Sequence, residues 1–280
     1  MRSLIRAIRF LFSISSPTGG PGDEPACCLH WIMPLGFAAG VLLAVIVGTC
    51  WGTLTYRPGG ELWMAVVPAM LVYWLLLGTA RYIGWGTTWA TLRSAGRGVE
   101  MIPLVTLAIV AAAVCQFVAL AMLPTRYPLT PPIAEWSRPL YLALIPPLHF
   151  GAIVLMGLWG SGAVLLAACL GRPDDRADPC VRQLLAERTW KKMTWAMAPT
   201  SGLTLLFLVG WSRQWGEPWA TSIVPAVFTS LAVTVILFGV TTLFAWLLAR
   251  KERPVTRGTL LAAGLIGEIG FLILFHALVR

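Results

Sequence analysis

The chain has 280 residues, of which 58% are hydrophobic and only 12% charged, with a mean hydropathy of +0.77. Soluble domains carry about 25% charged residues, so a soluble enzyme is excluded at once. The net charge of +9 does not point to nucleic acid, because the basic residues fall in connectors between apolar blocks of about 20 residues, the length that crosses a bilayer as a helix. The expectation is an all-α, polytopic helical membrane bundle, a single integral domain over residues 1–280 with the lipid bilayer as its immediate partner.

The first segment, MRSLIRAIRFLF, sets Arg2, Arg6 and Arg9 against Leu4, Ile5, Ile8, Leu11 and Phe12, the pattern of an interfacial amphipathic helix. Arginines interrupt its apolar run and no small-x-small cleavage site closes it, so it is read as retained, with a linker to residue 26. The bundle proper, residues 31–279, divides into candidate crossings at 31–53, 62–80, 101–123, 139–170, 193–212, 222–249 and 258–279. The turn-rich stretches RPGG, PTRYPLTPP, GRPDDRADP and KERP connect them. The first crossing repeats a small residue every fourth position, Gly36, Gly40, Ala44 and Gly48, which lets a neighbouring helix approach closely. Pro146-Pro147 should kink or break the long fourth crossing.

Sorting the cations gives the orientation. With the N-terminus inside, sixteen Lys and Arg are cytoplasmic, among them Arg81, Arg93 and Arg97, against five outside: Arg57, Arg126, Arg138, Arg213 and Arg280. That asymmetry predicts seven crossings, N-in and C-out, in the inner (cytoplasmic) membrane.

Few residues are suited to chemistry. Glu268 is the only carboxylate deep in a predicted crossing, about 15 Å into the last one, where an ionisable group needs a partner or a wet cavity. His149 follows the proline pair at a comparable depth from the opposite end of its own helix, so Glu268 and His149 are the candidate catalytic or coupling pair. His276 and His30 lie at other depths, a poor arrangement for the axial ligands of a haem, and no haem is expected. The six cysteines, Cys27, Cys28, Cys50, Cys115, Cys169 and Cys180, have no metal-ligand spacing and read as reduced thiols and small buried residues. The loop 171–192 is the most charged stretch. Its Asp174, Asp175 and Asp178 have the oxygen chemistry for Mg²⁺ but no accompanying glycine loop, and a solvated cytoplasmic loop accounts for it.

The stretch LLLGTARYIGWGTTWATL, residues 75–92, resembles the cobalamin synthase family, the adenosylcobinamide-GDP ribazoletransferases, in which a helix end runs LLTGGLHLDGLADTADAL; Leu75, Leu76, Gly78, Gly84, Thr88 and Leu92 match. The C-terminal VTRGTLLAAGLIGE resembles the family's VTGDTLGAAIELTE, matching at Val255, Thr256, Thr259, Leu260, Ala262, Ala263 and Glu268. The basic N-terminal helix and the glycine-laddered first crossing are similar too, while residues 103–250 match in hydropathy alone. The resemblance implies a Mg²⁺-dependent transfer of a phosphorylated nucleoside cobinamide onto a riboside at the cytoplasmic face, with Arg81, Arg93 and Arg97 as candidate phosphate-binding residues. The family's aspartate positions are here Ile83, Thr87 and Ala90, its histidine position is Arg81, and its Gly-Asp pair is Arg257-Gly258. None supplies the carboxylate oxygens that hold Mg²⁺. The chain therefore reads as a diverged, non-catalytic paralogue, with Mg²⁺ as cofactor only in an active form. Two alternatives stand beside it: a structural subunit in a homo- or hetero-oligomer of membrane proteins, or a small-solute transporter using Glu268.

Overall fold

A computed structural model of the chain describes residues 2–12, 29–54, 62–94, 101–123, 148–171, 179–186, 189–212, 219–251 and 255–278. Among these the regular structure is entirely helical: α1 (Arg2–Phe12), α2 (Leu29–Leu54), α3 (Leu62–Tyr73), a π-turn (Trp74–Gly78), α4 (Thr79–Ser94), α5 (Met101–Ala121), α6 (Leu148–Leu170), α7 (Pro179–Ala186), α8 (Trp190–Ser212), α9 (Trp219–Lys251) and α10 (Arg257–Leu278). Helices α2, α5, α6 and α10 are each long and apolar enough to cross a membrane; α8 and α9 contain the shorter apolar stretches Met197–Val209 and Thr234–Leu247.

The centre of the bundle is α6. From Leu148 to Ala168 only Phe150 escapes full burial, as expected of a helix that is apolar all round and small-residue-rich. Helices α2, α8, α9 and α10 pack around it. Gly36 and Gly40 of the small-residue ladder lie on the α6 backbone beside Gly157 and Val154, whereas Gly48 faces open space. The ladder therefore serves as a contact over part of its length.

The second expected crossing, 62–80, does not end at residue 80. The helix runs on through the π-turn to Ser94. Hydropathy drops after Thr79 because of Arg81 and the threonines, but Arg81 is buried in the bundle and the threonine hydroxyls bond to their own helix. Thr87 Oγ1 donates to the carbonyls of Ile83 and Gly84 at 2.9 and 3.0 Å, and Thr91 Oγ1 to Thr88 at 2.8 Å, the local back-bonding that hides a hydroxyl within a helix. The fourth crossing is helical from Leu148; its predicted start and Pro146-Pro147 lie outside the described residues.

The N-terminal segment is helical, as its pattern predicts, and it is docked on the bundle. Ala7, Phe10 and Leu11 are buried while Ile5 and Ile8 remain exposed. Its C-terminal carbonyls, which have no intrahelical donors, accept from Arg257: Nε to Phe10 at 3.0 Å, and Nη2 to Arg9 and Phe10 at 2.8 and 2.7 Å. The same guanidinium lies over the Phe10 ring, 5.7 Å from its centroid. Helix α10 then begins with a reciprocal cap, in which Thr256 and Thr259 accept each other's backbone N–H at 3.2 and 3.3 Å, the logic of a capping box.

Candidate functional site

Helix α10 runs antiparallel to both α6 and α4. Gly264 meets Val164 and Gly267 meets Ala163, while at the α4 seam Gly84 meets Gly258 and Leu261. This register carries Glu268 and Arg81 to one point in the interior, where they form an ion pair with side chains 1% and 2% exposed. Arg81 Nη1 donates to Oε1. On the other oxygen, Oε2, the Tyr73 hydroxyl donates at 2.6 Å and Gln116 Nε2 at 3.2 Å. Gln116 is itself held by the Tyr82 hydroxyl, which donates to its Oε1, and Arg81 Nη2 reaches Ser161 Oγ at 3.5 Å. Residues from α3, α4, α5, α6 and α10 thus meet around one carboxylate.

Room for the pair comes from Gly160 of α6. A Cβ there would stand 2.5 Å from Glu268 Cγ and 3.1 Å from Arg81 Nη1, so any larger residue would displace the pair. The convergence of Tyr73 and Arg81 depends on the π-turn, in which the Thr79 N–H bonds the Trp74 carbonyl five residues back. Eight residues along a regular α-helix turn through about 80° beyond two full turns, which would point the two side chains apart. One wide turn absorbs the extra residue and puts them on a common face; such turns recur at functional positions.

The centre is almost fully satisfied. An ionised carboxylate offers about four acceptor sites, and three donors occupy all but one of them here. Arg81 Nε is the exception, buried without a hydrogen-bond partner among the described residues. Charge is balanced within the centre, as burial in hydrocarbon requires.

The structure brings together only part of the expected site. Glu268 is buried and paired, but its partner is Arg81. His149 lies on α6 about 16 Å along the helix from Gly160, so the antiparallel register keeps it away from Glu268. The Arg81 guanidinium faces the interior, not the surface where phosphate binding would place it. Arg93 sits in the last turn of α4 with its side chain outside the described set, and Arg97 lies outside the described residues, as do Asp174, Asp175 and Asp178. Cys50 and Cys169 are half-buried. Cys115 departs from the expected burial: it is exposed and lines an apolar groove of about 510 Å³ with Trp85, Trp89, Leu265, Ile269 and Ile273. Sequence reasoning missed Tyr73, Tyr82 and Gln116. The readable signal for Gln116 was an amide in the middle of the otherwise apolar run MIPLVTLAIVAAAVCQFVALA.

Of the positions at which the resemblance expects carboxylates, Thr87 and Gly258 face each other across the α4–α10 seam, and the set does not fit a Mg²⁺ site. A Cβ on Gly258 would stand 3.4 Å from Thr87 Oγ1, a hydroxyl already bonded to its own helix. Ala90 is buried, and Ile83 turns into a second apolar groove with Val110, Val114 and Phe117. None offers the oxygen set that Mg²⁺ demands. Among the described residues, no three His, Cys, Asp or Glu are grouped for a metal ion.

Compared with protein family models, curated proteins and solved structures, the chain matches none.

Proposed function

We propose that the chain is a multi-pass inner-membrane protein of cobalamin-synthase type, with seven crossings, N-in and C-out, in which the transferase chemistry has been lost and the Arg81–Glu268 centre acts as a structural lock. The observation that carries this reading is the α4–α10 contact. The two stretches on which the resemblance rests pack against each other, which is what a shared ancestral site would require. At their meeting point stand Gly84, Thr87, Gly258 and Leu261, none of which carries a carboxylate. Glycine-to-glycine approach of Gly84 and Gly258 fills the space that a metal and a diphosphate would need. A fold kept without its site does not keep the activity.

Glu268 supports the lock over a transport role. A coupling carboxylate has to exchange its partner for a proton or solute, whereas Glu268 is held by Arg81, Tyr73 and Gln116 and backed by Gly160. Removing one member of such a pair strands the other in hydrocarbon, so the pair fixes α4 against α10 through the cost of breaking it, not through a gain over apolar packing.

The test is an assay of the purified protein in micelles with the activated corrinoid, the riboside and Mg²⁺, run beside an active family transferase. The expected result is no product from this chain and product from the control. Product formation by this chain at a rate near the control's would overturn the non-catalytic reading.

A further inference from the structure

Helix α10 forms an apolar groove with α4, α5 and α9. Leu265, Ile269 and Ile273 make its floor, Ala111 and Cys115 border it from α5, and Val240 from α9. No hydroxyl, amide or charged group lines it. From Leu265 to Leu274 it follows about 14 Å of helix, and it encloses about 510 Å³. Gly270 opens a recess in the floor, because a Cβ there would meet no atom within 4 Å. Trp85 and Trp89 of α4, their ring centroids 5.4 Å apart, border the groove toward the start of α10, since the neighbouring Gly84 meets Gly258 and Leu261. The Trp85 indole is fixed there by donating to the Ala108 carbonyl at 3.1 Å.

That end of the groove is the basic end of the bundle, where α4 and α9 finish and α5 and α10 begin. Segments 93–100 and 250–257 carry Arg93, Arg97, Arg250, Lys251, Arg253 and Arg257 against only Glu100 and Glu252. At the opposite end, segment 213–218 ahead of α9 balances Arg213 with Glu217. The Arg250 guanidinium lies over the exposed Trp246 ring, 5.0 Å from its centroid, a pairing of cation and aromatic suited to the depth at which lipid headgroups begin.

We propose that the groove holds one acyl chain of an anionic glycerophospholipid from the surrounding bilayer, with its phosphate at this basic end. A lipid tail is as apolar as the groove walls, so the groove fixes where the tail lies and the cations select the headgroup. Left empty, the walls would forfeit dispersion contacts along their whole length. A helix from a second protein fits less well: about 10 Å across, it would need about 1,000 Å³ over the same length, about twice what the groove encloses. Such a lipid requires only that the chain be embedded in a bilayer and is indifferent to the Arg81–Glu268 lock.

The test places the full chain in phosphatidylcholine nanodiscs doped with a lipid probe that has a photoactivatable diazirine in its acyl chain and either a phosphatidylglycerol or a phosphatidylcholine headgroup. Labelled positions are read by peptide mass spectrometry. Preference for the phosphatidylglycerol probe at Cys115, Ile269 and Ile273 should exceed that at Leu107 and Val118, which are exposed on α5 outside this groove, by about fivefold, the factor one cation near a phosphate supplies. Gly270→Leu, which fills the recess, should abolish that excess and leave Leu107 and Val118 unchanged; Ala111→Leu, which fills the groove from α5, should do the same. Arg250→Gln with Lys251→Gln should equalise the two probes in the groove while tail labelling persists. The same probe preference in the groove and on the outer face overturns the proposal, and so does an excess that survives both filling substitutions. Groove positions protected from both probes, with Cys115 cross-linking chain to chain, would also overturn it and assign the groove to a second copy.

Discussion

Helices α4 and α10 meet twice, and the two meetings are built differently. In the interior, Arg81 and Glu268 face each other with donors arriving from α3 and α5, an acceptor, Ser161, from α6, and Gly160 making space. Nearer the start of α10, Gly84 and Gly258 bring the two backbones together, and the hydroxyls beside them, on Thr87 and Thr256, are each bonded within their own segment. The first contact is specific and electrostatic; the second is steric. A buried charge pair is held where its hydrogen-bond partners converge, while at the other end the two backbones approach closely and no charged group stands between them.

Substitutions at the two contacts should therefore have very different costs. Glu268→Ala leaves the Arg81 guanidinium buried and unpaired, and should lower stability by about 3–5 kcal/mol, measured by denaturant unfolding in micelles. Gly258→Ala at the steric end introduces a methyl at ordinary contact distance, 3.4 Å from Thr87 Oγ1, and should stay within about 0.5 kcal/mol of the wild-type protein. Equal costs at the two ends would erase the distinction.

Gly160→Ala sharpens it from the α6 side. Its methyl would press on Glu268 Cγ, and overpacking of this kind costs about 1–3 kcal/mol. The cost should fall when Glu268 is already alanine, which unfolding of the double variant would read directly. A local effect away from both contacts belongs to Arg257, which ties α1 to the bundle through the carbonyls of Arg9 and Phe10. Arg257→Gln should cost about 1 kcal/mol and be seen chiefly as faster proteolytic loss of the N-terminal helix, with the Arg81–Glu268 contact unaffected.

How much of this was legible in the sequence depends on the kind of signal. Long apolar runs identify α2, α5, α6 and α10, and depth alone singles out Glu268, because a carboxylate in hydrocarbon is conspicuous whatever its partner. Arg81 was misplaced for a physical reason. Hydropathy ends the second crossing where polar residues begin, and an arginine there counts as a surface cation, although in the fold it continues inward along a helix whose threonines satisfy themselves. His149 was matched to Glu268 by counting from helix ends; the antiparallel register of α6 and α10, set by Gly160 and Gly267 against their neighbours, is a tertiary property that such counting does not contain. The π-turn was equally invisible. It arises from the need to bring Tyr73 and Arg81 onto one carboxylate, and nothing in WLLLG announces it.

The most direct test of the lock compares the unfolding free energies of Arg81→Met, Glu268→Met and the double variant in micelles. A mutual lock predicts that each single substitution, which strands one charge, is costly by about 3–5 kcal/mol, while the double, which removes both charges and refills the volume, recovers to within about 1–2 kcal/mol of the wild-type protein. A double variant as unstable as the sum of its singles would contradict the account, since Arg81 and Glu268 would then contribute separately instead of through each other.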